Sequence, residues 1–121
     1  MLLWVLMGLG GGCGAVLRYA VSGFASRWDD FPSGTLVVNV IGSTLLSAAV
    51  CVQTATSAIY FFNSGLLGAF TTFSTFSYET FRLIEAGRWL LAISNVLLNL
   101  GFCITGVFVG RWFVARIVFG L

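Results

Sequence analysis

The chain has no lysine, no histidine and a single proline, and its acids are confined to Asp29, Asp30, Glu79 and Glu85. Those absences remove most enzyme chemistry. Neither a hydrolytic triad nor a zinc site can be assembled from such a set, so catalysis is not expected. Charged residues make up 8% of the 121, whereas a soluble domain needs about a quarter to cover itself in water. No basic run is present, which argues against a nucleic-acid partner. Cys13, Cys51 and Cys103 are odd in number and lack the paired spacing of a metal site or disulfide framework. They read as small apolar residues.

What is present is apolar sequence, 59% of the chain. It falls into four blocks near 2–24, 34–52, 58–84 and 89–113, each about the length that a transmembrane helix requires. The prediction is a single all-α, multi-pass membrane domain over 1–121 with four transmembrane helices. The first block has no basic leader and is as long as a full span, so it is a helix and not a signal peptide. Gly8 with Gly12, and Gly10 with Gly14, form overlapping small-xxx-small pairs that let another backbone come close. Arg18 has two readings: an anchor that snorkels to headgroups, or a charge in a vestibule for an anion. The stretch from Ser26 to Ser33, with Arg27, Trp28, Asp29, Asp30 and Pro32, reads as a joint, and Gln53 to Ser57 as a short uncharged turn.

Polar residues at membrane depth need partners in protein, water or a permeating ligand. Thr35 and Asn39 are four apart and share a helical face with Gly42 and Ser43. A membrane asparagine is either interhelical glue or a donor for a partly dehydrated anion. The third block carries Gly65, Gly68 and a dense Thr/Ser/Phe run. Glycine and threonine both weaken a helix, so a break is predicted between Gly65 and Thr72, with the helix resuming from Phe73 to Glu79. Unwinding frees carbonyls for a cation and N–H groups for an anion. Phe73 and Phe76 share a face, where their positive ring edges could meet an anion or simply pack against lipid. Glu79 is the one acid that could be drawn inside, while Arg82, Glu85 and Arg88 mark a helix end. In the fourth block Asn95, Asn99 and Cys103 recur every fourth residue, as packing glue or as an ion track.

With four spans, Arg111 and Arg116 lie on one side and Arg27, Arg82 and Arg88 on the other. So even a distribution of positive charge sets no orientation. Insertion in both directions then permits an antiparallel two-fold dimer.

Three stretches carry a resemblance: Gly11 to Tyr19, Gly34 to Gly42, and Gly65 to Glu79 with its Thr-Thr-Phe-Ser-Thr-Phe-Ser core. Together they resemble the small bacterial fluoride channel family, the CrcB or Fluc proteins. The resemblance implies an antiparallel dual-topology dimer in the cell inner membrane that exports fluoride passively through two pathways. It also implies a structural sodium ion at the dimer centre, held by the carbonyls of Gly68 and Thr71. By the same resemblance Phe73 and Phe76 form a phenylalanine box, Asn39 supplies the pore amide, and Ser74 and Thr75 are the hydroxyls beside the box. Thr35 and Glu79 match polar positions near a pore end, and Arg18 matches the helix-one arginine. Asn95, Asn99 and Cys103 stand where the family often has tyrosine and serine. The partner would be a second copy or a homologous subunit. Two rivals remain: a small dual-topology drug or cation antiporter, which needs Glu79 as its carboxylate, and a membrane subunit without transport.

Overall fold

The computed structural model describes residues 1–25, 31–52, 55–118 and 120; the predicted joint residues Arg27, Trp28, Asp29 and Asp30 and the turn residues Gln53 and Thr54 lie outside them. Every element among the described residues is helical: α1 (Leu2–Ala25), α2 (Ser33–Cys51), α3 (Thr56–Ala58), a π-helical segment (Ile59–Leu67), α4 (Gly68–Phe70), α5 (Phe73–Glu85) and α6 (Trp89–Val118). Of these, α1, α2 and α6 are long and apolar enough to cross a membrane. The third block is instead a chain of shorter pieces. α2 packs along α6, α1 packs along the π-helical segment, and contact between α1 and α2 joins the two pairs.

The break in the third block is narrower than the predicted 65–72 stretch. Gly68 stays helical at φ −63°, ψ −38°, and the chain leaves the helix at Thr71 (φ −74°, ψ 155°) and Thr72 (φ −150°, ψ 120°). Thr72 then starts α5 as its N-cap, its hydroxyl oxygen accepting the Thr75 N–H at 3.2 Å. The glycines serve a different purpose. A Cβ on Gly10 or Gly14 would run into the carbonyl oxygen of Phe61 or Leu66, and one on Gly65 would lie 2.7 Å from the Met7 carbonyl. α1 and the third block therefore meet backbone to backbone, the close approach that small residues permit where lipid supplies no hydrophobic drive. Gly8 and Gly12 have no described atom within 4 Å of a built Cβ. Among the described residues, the pair Gly10 and Gly14 is the one used in packing.

Packing inverts the arrangement of a soluble protein. Thr35, Thr72, Asn95 and Asn99 are buried, while Leu9, Val16, Leu97, Leu100, Phe108 and Phe113 are exposed. Lipid covers an apolar exterior and the polar groups pair inside. Gly106 and Gly110 bring α6 onto Thr44 of α2, and the Ser47 hydroxyl donates across the same seam to the Val107 carbonyl at 2.7 Å.

α5 ends where the charge pattern predicted. The Arg88 N–H reaches the Leu83 carbonyl and the Gly87 N–H the Ile84 carbonyl, each at 2.9 Å, with Gly87 at φ 70°. This paired closure needs a left-handed residue. Gly87→Ala is expected to cost about 1 kcal/mol of stability through that φ, read as a lower unfolding midpoint in detergent. α6 continues past the predicted end at 113 to Val118. The added residues include Arg116, whose guanidinium sits 5.9 Å from the Trp112 indole centroid. Four residues apart, the two stack as helical neighbours, and nothing in the sequence between them stops the helix.

Candidate functional site

The site is built on the break. In an unbroken α-helix the Thr72 N–H would pair with the Gly68 carbonyl and the Thr75 N–H with the Thr71 carbonyl. Both donors are diverted to side chains: Thr72 N–H to Asn39 Oδ1 at 2.8 Å, and Thr75 N–H to Thr72 Oγ1 at 3.2 Å. The carbonyls of Gly68 and Thr71 are thereby released from their helical donors. These two oxygens are a donor set suited to a hard monovalent cation.

Asn39 works on both sides of the Thr72 residue. Its Oδ1 accepts the Thr72 N–H, and its Nδ2 donates to the Thr72 carbonyl at 3.0 Å and to Asn99 Oδ1 at 3.2 Å. Gly42, one turn further along α2, lets Thr71 and Phe70 lie directly on that helix, since a Cβ there would strike the Thr71 side chain. The predicted polar stripe of α2 thus faces the break.

Two clefts meet at Thr72. One, of about 310 Å³, is lined by Arg18, Tyr19 and Ser22 of α1, Thr35 of α2, and Thr72 and Thr75. The other, of about 410 Å³, is lined by Asn39, Ser43, Thr71, Thr72, Phe73 and Phe76, with Asn99 and Cys103 from α6. Phe73 and Phe76 lie side by side with centroids 5.7 Å apart and planes tilted by 47°. Phe73 is 78% exposed, so one ring of the pair faces out of the subunit. Ser74 Oγ lies 3.2 Å from Thr72 Oγ1, and the Thr72 hydroxyl donates to Thr75 Oγ1 at 3.0 Å. Beyond the first cleft, the Thr35 hydroxyl donates to Glu79 Oε1 at 2.8 Å, and Glu79 Oε2 is buried without a hydrogen-bond partner among the described residues.

Ten of the predicted site residues gather around the break: Thr35, Asn39, Gly68, Thr71, Phe73, Ser74, Thr75, Phe76, Glu79 and Asn99. Arg18 joins them only through the first cleft. Asn95 lies one turn behind Asn99, fully buried, and donates to Thr80 Oγ1 at 2.9 Å. Thr72 and Thr80 were not among the predicted site residues. Thr72 could have been found by the capping rule, because a hydroxyl three residues ahead of a free helical N–H is a helix start. Thr80 offered no comparable signal; its role is set by Asn95, fifteen residues away and across a loop.

Apolar helices packed around a polar helix break define a multi-pass membrane protein with two clefts that meet at the break. Residues 5–111 match the family described as CrcB-like protein, Camphor Resistance (CrcB). The chain belongs to the CrcB family. It is 45% identical over 102 residues to the fluoride-specific ion channel FluC 1 of Methanosarcina barkeri, covering 84% of this chain and 88% of that one. The fluoride-specific ion channel FluC of Shewanella sp. (strain W3-18-1) is 45% identical over 116 residues, 91% of this chain and 94% of its own. That of Clostridium novyi is 40% identical over 118 residues, 92% of each.

Proposed function

We propose that this chain is a fluoride channel subunit that exports fluoride passively across the cell inner membrane. The observation that carries the reading is the break at Thr71–Thr72, which places freed backbone groups where two clefts meet within an otherwise apolar helical chain. The names of relatives 40–45% identical over most of the chain identify the anion. Hydrogen fluoride crosses lipid uncharged and dissociates at neutral pH, so the anion must leave by a pore. Such a pore has to replace a tight hydration shell with donors, yet hold the ion loosely enough to release it. The pathway residues are Thr35, Asn39, Phe73, Ser74, Thr75, Phe76 and Glu79, with Asn95 and Asn99 buried behind them. Hydroxyls and ring edges meet that requirement without a buried lysine or arginine to trap the ion, while both N–H groups of the Asn39 amide are spent on Thr72 and Asn99. Arg18 supplies positive potential at the mouth of the first cleft.

The functional unit in this reading has four spans per chain, the pieces from Thr56 to Glu85 making the third, and is an antiparallel dual-topology dimer. Exposure of Phe73 and the unused Gly8 and Gly12 support a partner there, either a second copy or a homologous subunit. The carbonyls of Gly68 and Thr71 fit a structural sodium ion at the dimer centre. Held there, such an ion would neutralise the negative end of the first half-helix.

The test is efflux from liposomes holding purified protein, followed with fluoride and chloride electrodes. Selective fluoride efflux is expected, and efflux no faster than from protein-free vesicles would overturn the channel reading. Phe73→Ile and Phe76→Ile are each expected to slow efflux by at least about tenfold, the equivalent of one lost contact of about 1.4 kcal/mol in the barrier. Unchanged rates in both variants would remove the rings from the pathway. A Glu79-dependent exchange of fluoride-free cations would instead favour the antiporter.

A further inference from the structure

We propose that Asn95 and Asn99 are positioning residues: an amide relay anchored on Thr80 that sets the orientation of Asn39 and, through it, the peptide groups on either side of Thr72. The effect on flux rests on the channel reading; the effect on the Thr72 backbone does not.

The relay is continuous and runs in one direction. Thr80 Oγ1 donates to the Phe76 carbonyl at 2.8 Å and accepts from Asn95 Nδ2 at 2.9 Å. Asn99 Nδ2 donates to the Asn95 carbonyl at 3.0 Å and to Asn95 Oδ1 at 2.9 Å. Both of its N–H groups are then used, and only its oxygen is left to face Asn39. That oxygen accepts from Asn39 Nδ2 at 3.2 Å.

This direction decides how Asn39 sits. A primary amide has two orientations of nearly equal shape, with oxygen and NH2 exchanged. With Asn99 presenting an acceptor, Asn39 must turn its NH2 toward α6 and the Thr72 carbonyl, which leaves its oxygen on the Thr72 N–H. The reversed orientation would set two donors against each other at Thr72 and two acceptors against each other at Asn99. The relay therefore reinforces the same orientation that the Thr72 N–H and carbonyl demand, the one that holds the break open. Burial supports a supporting role over direct ion contact: Asn95 is 0% exposed and Asn99 6%. Hydrogen bonds in a continuous low-dielectric chain also reinforce one another.

The test combines amide hydrogen exchange at Thr72, read by NMR on 15N-labelled protein in nanodiscs, with fluoride efflux from liposomes. Thr72 lines both clefts, and its N–H is held by Asn39 Oδ1. Asn99→Ala is expected to speed Thr72 exchange by about tenfold, the loss of roughly one net hydrogen bond, and to slow efflux. Because Asn99 acts through Asn39, adding Asn99→Ala to Asn39→Ala is expected to change neither quantity further. If Asn99→Ala does not fold, Asn95→Ser carries the test, with Thr72 exchange about threefold faster because the Asn95 backbone carbonyl still holds one Asn99 donor. Thr72 exchange within twofold of the unmodified chain in the folded variant would overturn the relay, as would multiplying losses of efflux in the double variant. An unmodified chain without fluoride efflux would instead overturn the channel reading, with the Thr72 result deciding the relay separately.

Discussion

Asn39→Leu is expected to abolish fluoride efflux and to destabilise the protein by about 3–6 kcal/mol, because it strips partners from three polar groups at once. The Thr72 N–H, the Thr72 carbonyl and Asn99 Oδ1 all depend on this one amide. Leucine matches asparagine in size, so the loss is of hydrogen bonds and not of volume. At membrane depth the orphaned groups have few alternatives, and the Thr72 N–H has its nearest helical acceptor in the Gly68 carbonyl. The variant is thus pushed to close the break into continuous helix, removing the freed carbonyls and rotating Phe73 away from the second cleft. Thermal unfolding in detergent measures the stability term and liposome efflux the functional one. Asn39→Leu protein that transports fluoride at an undiminished rate would show that the Thr72 clamp is not needed for conduction.

The second large effect concerns the fold. Gly14→Leu is expected to prevent stable folding, since even its Cβ would collide with the Leu66 carbonyl oxygen and approach the Leu66 Cα to 3.1 Å. A backbone obstacle cannot rotate aside as a side chain can. Overpacking typically costs 1–3 kcal/mol, and separating two helices along their whole contact carries it to about the upper end or beyond. Gly23→Leu is the control on the same helix, with no described atom within 4 Å of its Cβ. The expected pair of results on size-exclusion chromatography is aggregation for Gly14→Leu and a folded species for Gly23→Leu. A well-folded Gly14→Leu protein would contradict the packing of α1 on the third block.

The membrane class was legible from composition, because no arrangement of so few charges covers a water-soluble surface. The stripe of Thr35 and Asn39 and the ladder of Asn95 and Asn99 were legible from helical period alone. Other features were hidden for identifiable reasons. Local propensity placed the break over Gly65 to Thr72, yet the glycines stay helical and the chain opens at Thr71–Thr72. The deciding partner, Asn39, lies 33 residues away on another helix. Periodicity likewise could not choose between Gly8/Gly12 and Gly10/Gly14, which are equivalent until the third block docks on one of them. The direction of the amide chain was beyond sequence as well, since an asparagine reads the same whether it donates to its neighbour or accepts from it.

The unequal lengths of the long helices bear on how the subunit meets its bilayer. α2 has 19 residues and spans about 28 Å, whereas α6 has 30 and spans about 45 Å, at 1.5 Å per residue. A hydrocarbon slab of about 30 Å fits the shorter helix. From Trp89 to Gly110, α6 already runs about 33 Å, so its final turns, with Arg111, Trp112 and Arg116, project beyond the slab among the headgroups. The shortest span thus sets the preferred thickness of the surrounding lipid, and the stacked Arg116 and Trp112 form a collar that resists sinking of that end. In a thinner or thicker bilayer, mismatch strain falls first on α2, the helix that carries Asn39.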